Sequence, residues 1–488
     1  MNHMTRRRFF CQSVSTAAGA YLGLSASSRA GAMGANDEIR VAVAGIHSQG
    51  NGHIGRFQNI EGVQVVALCD PDSEVLAQRV KEFKAKYGQS VQGYADVRHV
   101  LDRKDIDAIV VATPNHWHSL MTIWACQAGK DVYVEKPVSH CIWEGRKMVE
   151  AARKYDRIVQ AGTQQRSCPA VQEAARDIQA GKYGKVLWVH CSKLGSRKPI
   201  GKVSTPQAVP DHINYNLWAG PAPMSPVMRQ QFHYDWHWQW SWGDGEMANW
   251  GVHYLDDIRH LLGSETVPTK IQAAGNRFCW NDNGETPNMH LALATYGDVP
   301  VVIDIRNLPD PLRSGGSSGA VYLNSRGSNY IQCEGASIRL SRGGGGAYDR
   351  ANKRIHKYTG DGGATHTQNF IDAVRSRRRQ DLAAEVEVGH LSTVVCHQAN
   401  IAWRVGQTAT VDQVHQAMKS HPDALYTLTD MLQQLGGNDA DLTKQPFVLG
   451  PELTYDPLAE RFTGSDASLA NQYLKSSYRA PFVVPDAV

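Results

Sequence analysis

The first continuous apolar run after the N-terminal region is Ile39-Arg40-Val41-Ala42-Val43-Ala44, which stops at Gly45. It is short and β-branched, which predicts a buried strand followed by a tight turn. A second run of the same type, residues 63–69, ends at Asp70. A third, Asp107-Ala108-Ile109-Val110-Val111-Ala112-Thr113, is followed by Pro114-Asn115-His116-Trp117-His118, read as a connecting turn. Helical periodicity then spans residues 119–128, with Gly129 placed to cap it. Val132-Tyr133-Val134 predicts another strand, ending in Glu135-Lys136-Pro137. Strands alternating with helices predict an α/β fold with a doubly wound parallel sheet. In the second half, residues 385–405 predict one long helix. The glycine-rich stretches 313–319 and 343–346 read as loops between strands. Residues 425–488 show weak periodicity and finish in an extended tail at 480–485.

Composition bounds the class. The chain has 488 residues, 42% hydrophobic and 20% charged, which fits a globular protein of two or more domains. Its formal charge of +4 comes from the N-terminus: residues 1–32 contain four arginines and no acid. The remaining body is neutral, which argues against a nucleic-acid or anionic-membrane surface. No later run reaches the roughly 20 apolar residues of a membrane span. The nine cysteines form no CxxC and no Cys/His cluster, so no metal site is expected and burial as small apolar residues is. Thr5-Arg6-Arg7-Arg8-Phe9-Phe10, a mildly apolar stretch and Ala30-Gly31-Ala32 resemble a twin-arginine export signal over residues 1–32. That resemblance implies a periplasmic protein exported folded.

Candidate chemistry gathers where the predicted strands end. Gly45 permits a strand-to-helix turn, and Gly50 permits close helix packing. Free N–H groups at that helix start, including that of Gln49, attract a pyrophosphate. Asp70 lies near the ~20-residue spacing of the acid that accepts ribose hydroxyls. Pro71-Asp72-Ser73 follow it rather than an arginine, which favours NAD over NADP. One departure is His47, where a dinucleotide fingerprint has its second glycine. Thr113, Pro114, Asn115, His118, Glu135 and Lys136 cluster at later strand ends, where ligands of open α/β sheets sit.

Ala112-Thr113-Pro114-Asn115-His116-Trp117-His118, Glu135-Lys136-Pro137, Ala161-Gly162-Thr163-Gln164-Gln165-Arg166, Tyr215-Asn216-Leu217-Trp218-Ala219-Gly220-Pro221 and the stretch 245–263 together resemble the Gfo/Idh/MocA family of glucose–fructose oxidoreductase and inositol dehydrogenase. The resemblance implies an NAD-binding Rossmann domain over residues 37–165. Residues 166–488 would form a substrate and oligomerisation domain with an open, mostly antiparallel sheet, whose free face makes a homodimer or homotetramer. It places Lys136 beside the nicotinamide and the substrate hydroxyl, and makes His253 the acid/base histidine. Asn249 stands where the family commonly has Asp. Gln165 and Arg166 would approach substrate. Five tryptophans crowd residues 236–250. In an extended segment Trp236, Trp238, Trp240 and Trp242 would share a face. With His237 and Trp250 they could stack on sugar rings or form a core or interface; both remain open.

Three functions are expected in descending order. The first is an exported NAD-dependent oxidoreductase acting on a secondary hydroxyl of a sugar, glycoside or polyol, with a tightly held, recycled cofactor. The second is an NAD-dependent glycoside hydrolase or lyase that oxidises transiently. The third is a non-catalytic carbohydrate-binding protein on a decayed scaffold, suggested only by His47 and Asn249.

Overall fold

The computed structural model describes residues 38–312 and 327–488. The twin-arginine-like segment and the stretch 313–319 lie outside the described residues. Six strands form the first sheet: β1 (Ile39–Ala44), β2 (Val63–Cys69), β3 (Gln92–Tyr94), β4 (Ala108–Val111), β5 (Asp131–Val134) and β6 (Val159–Ala161). All pairings are parallel, in the order β3-β2-β1-β4-β5-β6. β1, β4 and β5 are buried on both faces, which is why their sequences do not alternate. The order reverses between β1 and β4, and a crevice opens there beyond the strand ends.

The helix after β4 runs Asn115–Gln127 and so begins four residues before the periodicity. Pro114 has φ −57° and an extended ψ of 153°, and the chain turns helical at the next residue. The polar first turn hid the start: Asn115, His116 and His118 are buried and bonded to neighbouring segments instead of facing water.

The second sheet contains β7 (Val186–Leu194), β8 (Lys270–Asn276), β9 (Met289–Tyr296), β10 (Val299–Arg306), β11 (Gly327–Cys333), β12 (Ser337–Ser341), β13 (Gly344–Tyr348), β14 (Arg354–Thr359), β15 (Gln407–Ala409), β16 (Phe447–Leu449), β17 (Leu453–Asp456) and β18 (Arg461–Thr463). Its main path is β14-β13-β12-β11-β7-β10-β9-β8-β16-β15, and β17 joins at β8. Only β7 and β10 pair in parallel.

Two sequence expectations fail here for local reasons. The glycines at 344–346 belong to β13, not to a loop. A Cβ on Gly345 would lie 1.8 Å from the Arg339 carbonyl oxygen, and one on Gly346 2.8 Å from that of His356, so their absence lets flanking strands close. The tryptophan run is not extended: Asp235–Trp238 is a 3-10 turn, and the four alternating rings do not share a face. Gln231 N–H donates to Asp235 at 2.7 Å and Trp236 Nε1–H to the His233 carbonyl at 3.0 Å, which fixes the turn. Trp242 packs edge-on to Trp218 at 4.9 Å, with the Arg229 guanidinium 4.7 Å over Trp218.

The first domain's core is completed by later residues. The helix His366–Ser376 buries Phe370 against Phe57 and Tyr133, with ring centroids 6.1 and 5.9 Å apart. Ala161 N–H donates to the Ala384 carbonyl just before the 19-residue helix Val386–Arg404. The C-terminal tail seats Phe482 against Trp117 and Trp124. All eight described cysteines are unpaired, and only Cys279 is exposed. No helix among the described residues is long and apolar enough to cross a membrane.

Candidate active site

A cavity of about 670 Å³ lies over the carboxyl ends of β1, β2, β4 and β5 and is walled on its far side by the second domain. At one end stands the β1 turn. Gly45 has φ +78°, and a Cβ there would meet the Ala112 carbonyl and Thr113 nitrogen at 2.6 Å. A Cβ on Gly50 would sit 1.9 Å from the Gly45 oxygen. Both glycines are therefore sterically required, and they leave a backbone cradle at a helix N-terminus.

Asp70 lines the cavity and is nearly buried. It accepts N–H bonds from Ile46 at 3.0 Å and Asp72 at 3.1 Å, which fix the glycine turn to the end of β2. Burial raises its pKa, against those backbone bonds and the nearby His233. Acceptor capacity remains on both oxygens for a ribose.

His47 is explained by a partner that the sequence did not show. Its ring stacks on His233 with centroids 4.6 Å apart, and the His233 Nε2 lies 2.8 Å from Asp72. Asp72 also caps the helix Ser73–Tyr87 through the N–H groups of Glu74 and Val75. Burial, His233 and Arg79 lower the His47 pKa. The residue that breaks the glycine fingerprint thus joins the turn to the second domain.

At the other end sit the Glu135-Lys136 pair. Glu135 accepts from Gln49 Nε2 at 3.1 Å, Gln164 Nε2 at 3.4 Å and the Lys136 N–H at 3.2 Å, with His53 Nε2 at 2.8 Å. Burial alone would raise its pKa; the bond and charge of His53, with Lys136, hold it well below the usual range. Lys136 Nζ donates to the Asn249 carbonyl at 2.7 Å and to Asn249 Oδ1 at 3.3 Å. Burial lowers its pKa although Glu135 and Glu246 pull the other way. Asn249 lies in a π-helical turn, Met247–Gly251, and its Nδ2 donates to Glu246 at 3.3 Å. The negative charge absent from position 249 is therefore present one side chain away.

The helix Val252–Leu261 follows directly and carries His253 into the cavity. His253 is buried, and its Nδ1 has no hydrogen-bond partner. Burial, then the charges of Lys136 and Arg342, push its pKa well below 6.5, so it is neutral at neutral pH. Thr113 presents a buried Oγ1 without a partner beside the Pro114 turn. Asn115 Nδ2 donates to Asp244 at 2.9 Å. His118 bridges the Pro137 and Thr113 carbonyls at 2.6 and 2.8 Å, tying the two strand-end turns together.

Apart from Gly50, which packs behind the Gly45 turn, the expected cofactor and catalytic residues line one cavity, but two expected substrate contacts do not. Gln165 is buried away from it, and Gln164 lines it instead. Arg166 turns onto the buried carboxylate of Asp256 at 2.8 Å, bracing the helix that carries His253. Trp236, His237 and Trp250 do line it, with His237 stacked 3.7 Å from Trp236. Trp238 and Trp242 are core. Sequence reasoning missed His53, Glu246, Arg197, Tyr234 and Arg342. Glu246 stands three residues before Asn249, but its reach to that side chain depends on the π turn; Arg197, in the segment after β7, and Arg342, in the β12–β13 turn, had no local signal.

The glycine cradle, the partnerless Thr113 hydroxyl and a cleft joining Asp70 to Lys136 fit a dinucleotide. Residues 39–163 match the Gfo/Idh/MocA profile described as an oxidoreductase family with an NAD-binding Rossmann fold, and residues 185–303 match its C-terminal alpha/beta domain; together they span half of the chain. A glycosyl hydrolase family 109 protein of Shewanella pealeana is 33% identical over 125 residues, 24% of this chain and 27% of its own length. An inositol 2-dehydrogenase of Salmonella typhimurium is 28% identical over 181 residues, 37% of this chain and 52% of its own. The chain therefore matches between a quarter and a half of these relatives' lengths. Among solved structures, the WlbA dehydrogenase of Bordetella pertussis in complex with NADH and UDP-GlcNAcA gives a TM-score of 0.54 at 20% identity, over 74% of this chain and 95% of that one. A levoglucosan dehydrogenase complexed with NADH and levoglucosan gives 0.55 at 17%, over 74% and 96%. These share the fold.

Proposed function

We propose that this chain, which belongs to the Gfo/Idh/MocA oxidoreductase family and binds NAD, oxidises a secondary hydroxyl of a sugar, glycoside or polyol. The observation that carries the reading is one cavity holding a half-buried lysine fixed by Asn249 and a buried, neutral histidine with an unpartnered Nδ1, beyond the ends of β4 and β5. NAD, when bound along the Gly45 turn with its ribose at Asp70, supplies the acceptor for the hydride that leaves the carbinol carbon. The protein's own part is proton handling and orientation. His253 is neutral and takes the hydroxyl proton. Lys136 Nζ, aimed by the Asn249 carbonyl, donates a hydrogen bond to the same oxygen and stabilises its developing charge. Glu246 holds Asn249 in place, so the lysine remains aimed although position 249 is not acidic. Trp236, His237 and Trp250 offer flat faces for a sugar ring.

The arginine-rich leader supports export to the periplasm. Free NAD is not expected there, so the reading includes a tightly held cofactor recycled in place, and pairing of copies through the open sheet.

The match to glycosyl hydrolase family 109 proteins favours a second reading, glycoside cleavage in which the oxidation is reversed before product leaves. One experiment separates the two. The NAD-loaded protein is mixed with polyols, free sugars and chromogenic aryl glycosides, and NADH and released aglycone are followed together. NADH formed with carbonyl product supports the oxidoreductase. Aglycone released without net NADH supports cleavage, and neither signal with any member of the panel refutes both.

A further inference from the structure

The substrate end of the cavity carries more positive charge than its carboxylates offset. Lys136, Arg197 and Arg342 line it, and Lys193 stands just behind. Lys193 Nζ lies 5.4 Å and Arg342 Cζ 5.7 Å from the Trp250 ring, so cations flank this cavity-lining aromatic. Four described carboxyl groups stand near them. Asp257, on the helix that carries His253, feels the charge of Arg342, but burial and Asp256 raise its pKa well above the ordinary carboxylate value and favour its neutral form. Glu135 is occupied by His53, Gln49, Gln164 and the Lys136 backbone. Glu246 is fully engaged by Arg197 at 2.9 Å, Lys193 at 3.7 Å and Asn249. Asp361 is exposed and accepts from the Gly363 N–H.

Arg342 is the residue left over. It lines the cavity and is half-buried, and no carboxylate pairs with it among the described residues. Its Nη2 makes one long bond to Gln164 Oε1 at 3.5 Å, and its Nη1 is buried with no partner at all. A half-buried, cavity-lining guanidinium that keeps a single long hydrogen bond is stabilised by an anion that can accept from it, and planar two-oxygen anions fit its fork best.

We propose that the carbohydrate carries an anionic substituent, a carboxylate or an esterified phosphate, received by Arg342 beside Trp250. This deepens the carbohydrate reading above and rests on it for the sugar, not for the charge.

The test is binding to the NAD-loaded protein, read by quenching of tryptophan fluorescence, with matched pairs: glucuronate against glucose, galacturonate against galactose, and glucose 6-phosphate against glucose. At least one acidic member is expected to bind about tenfold more tightly than its neutral counterpart, the size of one charge-assisted hydrogen bond. Uronates ahead of the phosphate ester identify a carboxylate; the reverse identifies a phosphate. The advantage should shrink to about twofold in R342M and partly return in R342K. Equal binding of neutral and acidic sugars, no binding of any acidic sugar, or an acid preference that survives in R342M overturns the proposal. The wild-type comparison does not depend on the variants folding. An acidic sugar that binds without being oxidised or cleaved refutes the proposed function and spares this one; a neutral sugar oxidised while no acid binds does the opposite.

Discussion

At the scale of residues, burial tunes two bases, His253 and Lys136. His253 has its pKa lowered by burial and by Lys136 and Arg342, so it stays neutral well into acid. The base form is lost only as pH falls through that depressed value. The acid limb of kcat/KM is therefore expected below 6.5, the ordinary histidine value; a limb centred at or above 6.5 would show that another group takes the proton. Lys136→Ala and His253→Ala should each lower turnover by at least ~10² while NAD still binds. Near-wild-type turnover in both would break the assignment. Lys136, Asn249 and His253 were legible in the sequence because motif and helical spacing lie within short stretches. The compensation by Glu246 was not, since it depends on a π turn that sequence periodicity does not announce. Gln165 and Arg166 misled for a related reason: a 3-10 turn, Gln164–Ser167, follows β6, and it presents Gln164 rather than its neighbours.

At the scale of elements, β1, β2, β4 and β5 were readable because each is a buried run bounded by glycine, aspartate or proline, whereas the three-residue strands β3, which is largely exposed, and β6 gave no such run. The helix at Asn115 began early because its first turn is polar yet buried, a combination that mimics a loop. The tail shows the same limit. Residues 480–485 look like an extended end, but Phe482 lies 5.5 Å from Trp117 and is buried with Val484 on the helix that follows β4. Local sequence cannot reveal which distant surface accepts a short apolar segment. Phe482→Ala should destabilise the folded chain by about 3 kcal/mol, the lower range for truncating a buried aromatic. Urea unfolding measures it, and a loss under about 1 kcal/mol would mean that the tail is not part of the core.

At the scale of the molecule, two sheets share cores through segments that cross between them, and the fold desolvates several histidines, in the cleft and outside it. Burial holds His116, His237 and His290 at about 3. The unfolded chain takes up those protons below 6.5, whereas the folded chain refuses them until about 3. Their contribution to stability is thus full above 6.5 and is lost as pH falls through that window. His190, raised by Asp304 and Asp423 against the effect of burial, acts in the opposite sense. The melting temperature should fall steadily from pH 6.5 to 4; a flat profile would mean that these rings are protonated in the fold.

The central claim is hydride removal from a carbinol carbon in the Lys136–His253 cavity, which both the oxidoreductase and the cleavage readings require. The most direct test uses a carbohydrate that the protein turns over, deuterated at its secondary carbons, followed by mass analysis of the nucleotide released from the protein. In a rapid-quench time course the nucleotide should carry deuterium before product leaves, lastingly in the oxidoreductase reading and transiently in the cleavage reading, and this label should fall at least ~10²-fold in Lys136→Ala. Product formed with the nucleotide unlabelled at every quench time would contradict it.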